Sequence, residues 1–97
     1  MNENPLYPEL NQLFGVYLNE DFSYWGNTIK VIVGCYRRDS SQESLRNILV
    51  EIENFERENF SNLDDAFEDT YGSQFGPELW GYTTASFLDE LKRLLSE

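Results

Sequence analysis

The side chains in this chain that could carry chemistry are mainly carboxylates, and two pairs of them repeat at helical spacing. Asp64 with Glu68, and Asp65 with Asp69, stand four residues apart, so the members of each pair are neighbours on a helix surface and repel each other. A bound cation or a basic partner would relieve this repulsion. The spacing does not fit a calcium-binding loop, and the chain has no histidine to complete a di-metal carboxylate site. We therefore expect no metal and no other cofactor, and we interpret this face as a docking surface for a basic partner in preference to a merely solvated face.

The other residue types argue against catalysis. Without histidine the chain cannot form a Ser-His-Asp or Cys-His arrangement or a zinc site of the usual kind. Cys35 is the only cysteine; it lies in the apolar run 29–36 with no adjacent base, which is typical of a buried, inert thiol. Gly72, Gly76 and Gly81 have the spacing of turn residues and not of a phosphate-binding loop. We expect a binding protein and not an enzyme.

Charge is distributed unevenly along the chain. The net charge is -11, which repels nucleic acid and anionic membranes and attracts basic partners. Between residues 51 and 78 Arg57 is the only base among many acids. Aromatic residues near such a charged surface are typical of binding hot spots, although they can equally fill the end of a bundle. The predicted contact residues are Glu51, Glu58, Asp64, Asp65, Glu68, Asp69, Tyr71, Trp80 and Tyr82.

Five segments with apolar residues at intervals of three and four must position these side chains. The apolar stripes are Leu6, Leu10, Leu13, Phe14, Tyr17 and Leu18; Ile29, Ile32, Val33 and Tyr36; Leu45, Ile48, Leu49, Ile52 and Phe55, closed by Phe60; Leu63, Ala66, Phe67 and Tyr71; and Phe87, Leu88, Leu91, Leu94 and Leu95. This periodicity predicts helices, and an aromatic content of 15% argues against a disordered acidic tail. We predict an all-α fold, a compact bundle of about five helices forming one domain over residues 1–97.

Local signals indicate where the helices begin and end. The β-branched residues between 28 and 36 also suit a strand, but the apolar spacing favours a helix. Ser40 and Glu43 have the spacing of a capping box for the third helix. For the fourth helix Ser61 or Asn62 can cap the start and Gly72 the end, and for the last helix Thr83 or Thr84 can cap the start.

Targeting signals are not evident in the sequence. The N-terminal residues 1–5 lack the basic start and apolar stretch of a signal peptide, and no apolar segment approaches the ~20 residues that span a membrane. We expect a cytoplasmic monomer that contacts neither membrane nor nucleic acid directly.

One segment has a more specific pattern. Leu13-Phe14-Gly15-Val16-Tyr17-Leu18-Asn19-Glu20-Asp21-Phe22, followed by Gly26 and a helix, resembles the small immunity proteins of bacterial contact-dependent growth inhibition systems. In that family the first helix ends in an aromatic residue, a polar pair, an aspartate and a Trp or Phe, and the last helix carries an aromatic-Leu pair, which Phe87-Leu88 matches. This sequence departs from the family in three places: Phe22 and Phe87 stand where Trp is common, and Asn19-Glu20 replaces a His-Gln pair.

The resemblance implies a cytosolic, all-helical protein that binds and neutralises a cognate toxin C-terminal domain. Such toxins are frequently nucleases, whose surface must be basic to hold phosphate. The resemblance also implies that Tyr17 and Phe22 belong to the core and that Asp21 caps the following turn. The family motif is structural and does not locate the toxin-binding face, for which charge is the only guide.

Two other functions remain open at this point. A nucleic-acid mimic that inhibits DNA-binding proteins would also be acidic, but mimics spread charge over the whole surface, whereas here it concentrates in one half. An adaptor that recognises a basic peptide would need an open hydrophobic groove. Selectivity separates the classes, because an immunity protein binds one toxin tightly and a mimic binds many DNA-binding proteins.

Overall fold

The computed structural model describes residues 7–19, 22–72 and 75–97, and within these ranges the chain is helical, without strands. The five α-helices are α1 (Pro8–Gln12), α2 (Ile29–Asp39), α3 (Gln42–Glu58), α4 (Leu63–Tyr71) and α5 (Thr84–Ser96). A π-helical turn, Leu13–Tyr17, continues α1, and 3-10 turns occupy Phe22–Tyr24, Phe60–Asn62 and Pro77–Trp80. The all-α prediction is therefore confirmed, and residues 29–36 form a helix and not a strand.

Polar side chains fix three of the helix starts. Thr28 Oγ1 accepts a hydrogen bond from the backbone N–H of Val31 at 3.2 Å, and Thr83 forms a capping box with Ser86. For α3 the predicted capping box of Ser40 and Glu43 is wrong, because the cap is the next residue, Ser41, whose Oγ accepts from Ser44.

Ser40 instead closes the preceding helix. Its hydroxyl donates to the carbonyl oxygen of Tyr36 at 2.6 Å, and its backbone N–H donates to Arg37. The two adjacent serines thus serve two different helix ends, since each terminus leaves backbone groups that need partners. The connection between α2 and α3 is correspondingly short.

The N-terminus of α1 is capped from a distant part of the chain. Pro8 occupies the first turn and no neighbouring side chain caps it. Instead Oε1 of Glu51, in α3, accepts the backbone N–H groups of Glu9 at 2.9 Å and of Leu10 at 3.0 Å. Glu51 is only 8% exposed, so the prediction that it belongs to an exposed contact surface is wrong.

The core is centred on the π-helical turn and α5. Phe14 is fully buried, and its ring lies 4.4 Å from that of Tyr71 and 5.4 Å from that of Phe67, both in α4. The apolar face of α5, including Phe87 and Leu91, is buried against α2, α3 and α4. Phe67 and Tyr71 therefore mark the buried side of α4, and the side of this helix that faces away from the core contacts solvent.

The structure also tests the predictions for Phe60 and Cys35. Phe60 does not close the stripe of α3, because α3 ends at Glu58 and the ring of Phe60 is 87% exposed. Cys35 is half-buried, with its Sγ 3.6 Å from the carbonyl oxygen of Trp25. Leu6 and Asp21 lie outside the described residues. No helix in the described ranges is long and apolar enough to cross a membrane.

Candidate protein-binding surface

The outer side of α4 carries four carboxylates. Asp64, Asp65, Glu68 and Asp69 are exposed, while Phe67 and Tyr71 on the same helix face the core; we call these four acids the α4 acidic face. Asp64 and Asp65 lie in the first turn, where the partial positive charge of the helix N-terminus favours them. In the described part of the chain, none of the four carboxylates has an ion pair or a side-chain hydrogen bond. The charges of this face are therefore not neutralised by the described residues.

Many of the other carboxylates are bound within the molecule. Asp39 accepts from Arg38 and Tyr17, each at 3.1 Å, and these contacts hold its pKa below the usual range. Glu9 accepts from Tyr36 at 2.8 Å, and Glu56 of α3 pairs with Lys92 of α5 at 2.9 Å. The list of engaged acids continues with Glu51, Glu58 and Glu90. Much of the negative charge thus maintains the fold, in contrast to the α4 acidic face.

A few exposed acids outside α4 are also without a partner among the described residues, namely Glu43, Glu53 and Glu78. Glu43 and Glu53 stand ten residues apart on α3, so they do not form a cluster with each other. Glu78 differs, because it lines a pocket together with Asp64 and Glu68. The density of unpaired carboxylates is therefore greatest on α4 and the turn beside it.

That pocket lies between α4, the Pro77–Trp80 turn and the start of α5, and its volume is about 260 Å³. Its walls carry the three carboxylates and the ring of Tyr82, and Phe67 and Pro77 supply apolar surface. Lys and Arg side chains combine an apolar stem with a charged head. The pocket therefore suits a basic side chain of a partner: carboxylates bind the charged head, and the apolar surface accommodates the stem.

A second recess adjoins Asp64 on the other side. It is lined by the Phe60–Asn62 turn, Leu63, Asp65 and Ala85 of α5. Phe60, which lines this recess, is 87% exposed, and Leu79, which follows Glu78 in the chain, is 85% exposed. Sequence patterning missed both of these residues as surface features, although the polar residues around Phe60, Asn59 and Ser61, are a turn signal.

The structure brings together some of the predicted contact residues. Asp64, Glu68 and Tyr82 share the pocket, and Asp65 and Asp69 lie on the same helix. Glu58 is exposed, but its carboxylate accepts a hydrogen bond from the hydroxyl of Tyr7.

The structure separates the remaining predicted contact residues from this surface. Tyr71 is 2% exposed and its hydroxyl donates to Asn11 at 3.0 Å, so, like Glu51, it cannot belong to an exposed surface. Trp80 is half-buried, and the centroid of its ring lies 4.9 Å from that of Phe22 and 6.1 Å from that of Phe75. Trp80 therefore mainly fills the end of the bundle. Within the described ranges, no cluster of three or more Cys, Asp and Glu residues is arranged to hold a metal ion.

Comparison with known proteins identifies the family. A family model described as CdiI immunity protein matches residues 6–95, nearly the whole chain of 97 residues. Neither the curated proteins nor the solved structures gave a match. Because the family model covers the described core and the α4 acidic face alike, the chain belongs to the CdiI immunity proteins, which bind and neutralise the toxins of contact-dependent growth inhibition.

Proposed function

We propose that this immunity protein neutralises a basic nuclease toxin domain by binding it through the α4 acidic face. The observation that carries the proposal is the set of four exposed carboxylates without internal partners, next to a pocket with two of the same carboxylates and Glu78. A nuclease must present Lys and Arg side chains to hold the phosphates of its substrate. An acidic surface of matching extent would bind those side chains in place of phosphate.

Inhibition follows from occupancy of the substrate-binding surface. Carboxylates on α4 pair with cations that would otherwise contact nucleic acid, and the body of the bundle excludes the substrate. Charge complementarity also accelerates encounter, since oppositely charged patches raise association rates by ~10- to 1000-fold. Fast binding is useful to a protein that must intercept a toxin before it acts.

Residues at the border of the face have different roles in this proposal. Tyr82 lines the pocket, and its ring packs against the apolar stem of a bound Lys or Arg. Glu58 is exposed and extends the contact at its edge, whereas Trp80 packs on Phe22 and Phe75 and supports this end of the bundle from outside the contact. We further propose that the protein acts as a monomer in the cytoplasm, one copy for each toxin domain.

The proposal is tested with the toxin domain encoded beside this protein. Co-purification followed by calorimetry should give a one-to-one complex with nanomolar or tighter affinity and loss of toxin activity on nucleic acid. Tight binding to this toxin and not to unrelated DNA-binding proteins would exclude the nucleic-acid mimic. A toxin without nuclease activity would refute the nuclease assignment, and absence of binding would refute the whole proposal.

Charge reversal tests the location of the interface. The double variant Glu68→Lys, Asp69→Lys should weaken binding strongly without unfolding the bundle, because both side chains are exposed and neither makes an ion pair or a side-chain hydrogen bond in the described residues. The matched control is Glu43→Lys, Glu53→Lys, which changes the net charge equally at two unpaired acids of α3. Equal affinities of the two variants would place the interface away from α4.

A further inference from the structure

Phe60 is the most exposed large apolar side chain in the described residues, with 87% of its surface accessible. It begins the 3-10 turn between α3 and α4, Phe60–Asn62. A single exposed apolar side chain is ordinary on a soluble protein, but aromatic residues, Phe among them, are enriched in the cores of protein interfaces. Whether Phe60 has such a role is decided by its surroundings.

The backbone holds Phe60 outward by specific hydrogen bonds. At the end of α3 both the backbone N–H and the side-chain Nδ2 of Asn59 donate to the carbonyl oxygen of Phe55, at 3.1 and 2.9 Å. Asn62 then donates to Asn59 at 3.1 Å. Because both sides of the turn are fixed, the backbone that carries Phe60 is already ordered, which reduces the backbone entropy lost on binding.

The surroundings of Phe60 indicate the chemistry of the partner. The recess beside it combines the apolar side chains of Leu63 and Ala85 with the carboxylates of Asp64 and Asp65. An apolar residue next to unpaired acids is complementary to an apolar pocket with Lys or Arg at its rim. A second copy of this chain is a poor occupant, since two such acidic surfaces would repel each other at a net charge of -11 per chain.

We propose that Phe60 is the hydrophobic anchor of the toxin interface and inserts into an apolar pocket of the toxin domain that is rimmed by basic residues. This inference rests on the proposed function and adds a division of roles to it. The α4 acidic face steers the toxin and sets the association rate, while Phe60 sets the lifetime of the complex. Such a division is common, because rim charges mainly change association and buried anchors mainly change dissociation.

The test compares Phe60→Ala with Tyr24→Ala as a matched control. Tyr24 is 81% exposed and lines a recess with Val16, Asn19, Ser23 and Trp25, none of which, among the residues that the structure describes, is acidic. Circular dichroism and thermal melting establish that both variants remain folded. With the toxin domain, Phe60→Ala should raise the dissociation constant by about 30-fold or more, the usual size of a hot-spot effect, through faster dissociation. The affinity of Phe60→Ala should depend on salt concentration as steeply as that of the wild type. Tyr24→Ala should bind the toxin domain with wild-type affinity.

Other outcomes would overturn either the anchor role of Phe60 alone or the proposed function as a whole. Wild-type affinity of Phe60→Ala would refute the anchor and leave the proposed function intact, whereas failure of the wild type to bind the toxin domain would refute both. Sedimentation of the free protein supplies a second measurement. A wild-type dimer that becomes monomeric in Phe60→Ala would show that a second copy covers this residue, and would also overturn the anchor.

Discussion

The carboxylate oxygen Oε1 of Glu51 lies 3.0 Å from the backbone nitrogen of Leu10, across 41 residues of sequence. A side chain in the middle of α3 thereby supplies the cap that α1 lacks locally. The contact also explains how an ionisable residue is accommodated in a core of apolar side chains, since buried polar groups need hydrogen-bond partners.

Removal of this cap should destabilise the fold. In Glu51→Ala the N–H groups of Glu9 and Leu10 lose their acceptor, and we expect the free energy of unfolding to fall by about 3 kcal/mol. Glu51→Gln keeps an acceptor oxygen and should lose less than half as much. Urea unfolding of the three proteins measures both differences; equal stability of the Ala and Gln variants would contradict the capping role.

The ionisation of Glu51 should make its contribution pH-dependent. Burial raises the pKa of this carboxyl above its ordinary value of 4.5, although the two backbone hydrogen bonds partly oppose the effect. A raised pKa in the folded state means that ionisation disfavours folding, so the contribution is complete below pH 4.5 and is lost as the pH rises through the folded pKa. The free energy of unfolding of the wild type relative to Glu51→Gln should therefore fall as the pH rises from 4.5 through the folded-state pKa. A rise would contradict the prediction.

Tyr7 should contribute to alkaline unfolding. Burial, the hydrogen bond to Glu58 and the charge of that carboxylate raise the pKa of Tyr7 from 10.0 to about 12. Its contribution is then complete below pH 10.0 and is lost between pH 10.0 and about 12. Tyr7→Phe should show a smaller loss of stability across this range; the loss that remains includes the contributions of Tyr17, Tyr36 and Tyr71, whose pKa values burial also raises. Identical alkaline profiles would exclude a role for Tyr7.

Two glycines should respond in opposite directions to the same substitution. An added Cβ meets no atom within 4 Å at Gly34 or at Gly81, but Gly81 has a φ of +87°. Gly34→Ala in the exposed side of α2 should stabilise the protein by about 0.5–1 kcal/mol, whereas Gly81→Ala should destabilise it by about 1–2 kcal/mol. Thermal melting gives both signs, and stabilisation by Gly81→Ala would show that the turn before α5 tolerates a different backbone.

Toxin binding should depend on salt through the association rate. Exposed charges are screened over about 10 Å at 0.1 M salt, so raising the salt from about 0.05 to about 0.5 M should slow association by about 10-fold or more. The variant Glu68→Lys, Asp69→Lys should show a much weaker dependence. Stopped-flow mixing measures the rates, and an association rate of the wild type that is insensitive to salt would refute electrostatic steering by α4.

The sequence predicted the helices well because their apolar stripes are regular, and it failed where long-range contacts decide. Glu51 looks like any helical glutamate until α1 packs beside it, so its burial could not be predicted from local spacing. The predicted cap of α3 was wrong by one residue because the spacing of Ser40 and Glu43 favoured the first of two adjacent serines, whereas Ser40 bonds back to Tyr36 and Ser41 accepts from Ser44. Phe60 continues the apolar pattern of α3, but the helix ends two residues earlier.

For the candidate site the sequence predicted the acidic residues of α4 and their exposure, because four acids on a short helix cannot all be buried. It could not separate Tyr71 from Tyr82. Both tyrosines stand near these acids in the chain, but Tyr71 lies on the inward side of α4 and Tyr82 lies in the loop that lines the pocket. Sequence proximity is therefore a poor guide to the aromatic part of an interface.

The separation between bonded and unbonded acids has a consequence for divergence within the family. The internal pairs, such as Tyr36 with Glu9 and Lys92 with Glu56, constrain each other, so a change in one member requires a compensating change in the other. The carboxylates of the α4 acidic face have no bonded partner among the described residues that would have to change with them. On the proposed interface, mutations of these carboxylates can accumulate one at a time and follow changes in a toxin, which allows specificity to shift to a new toxin while the bundle is inherited unaltered.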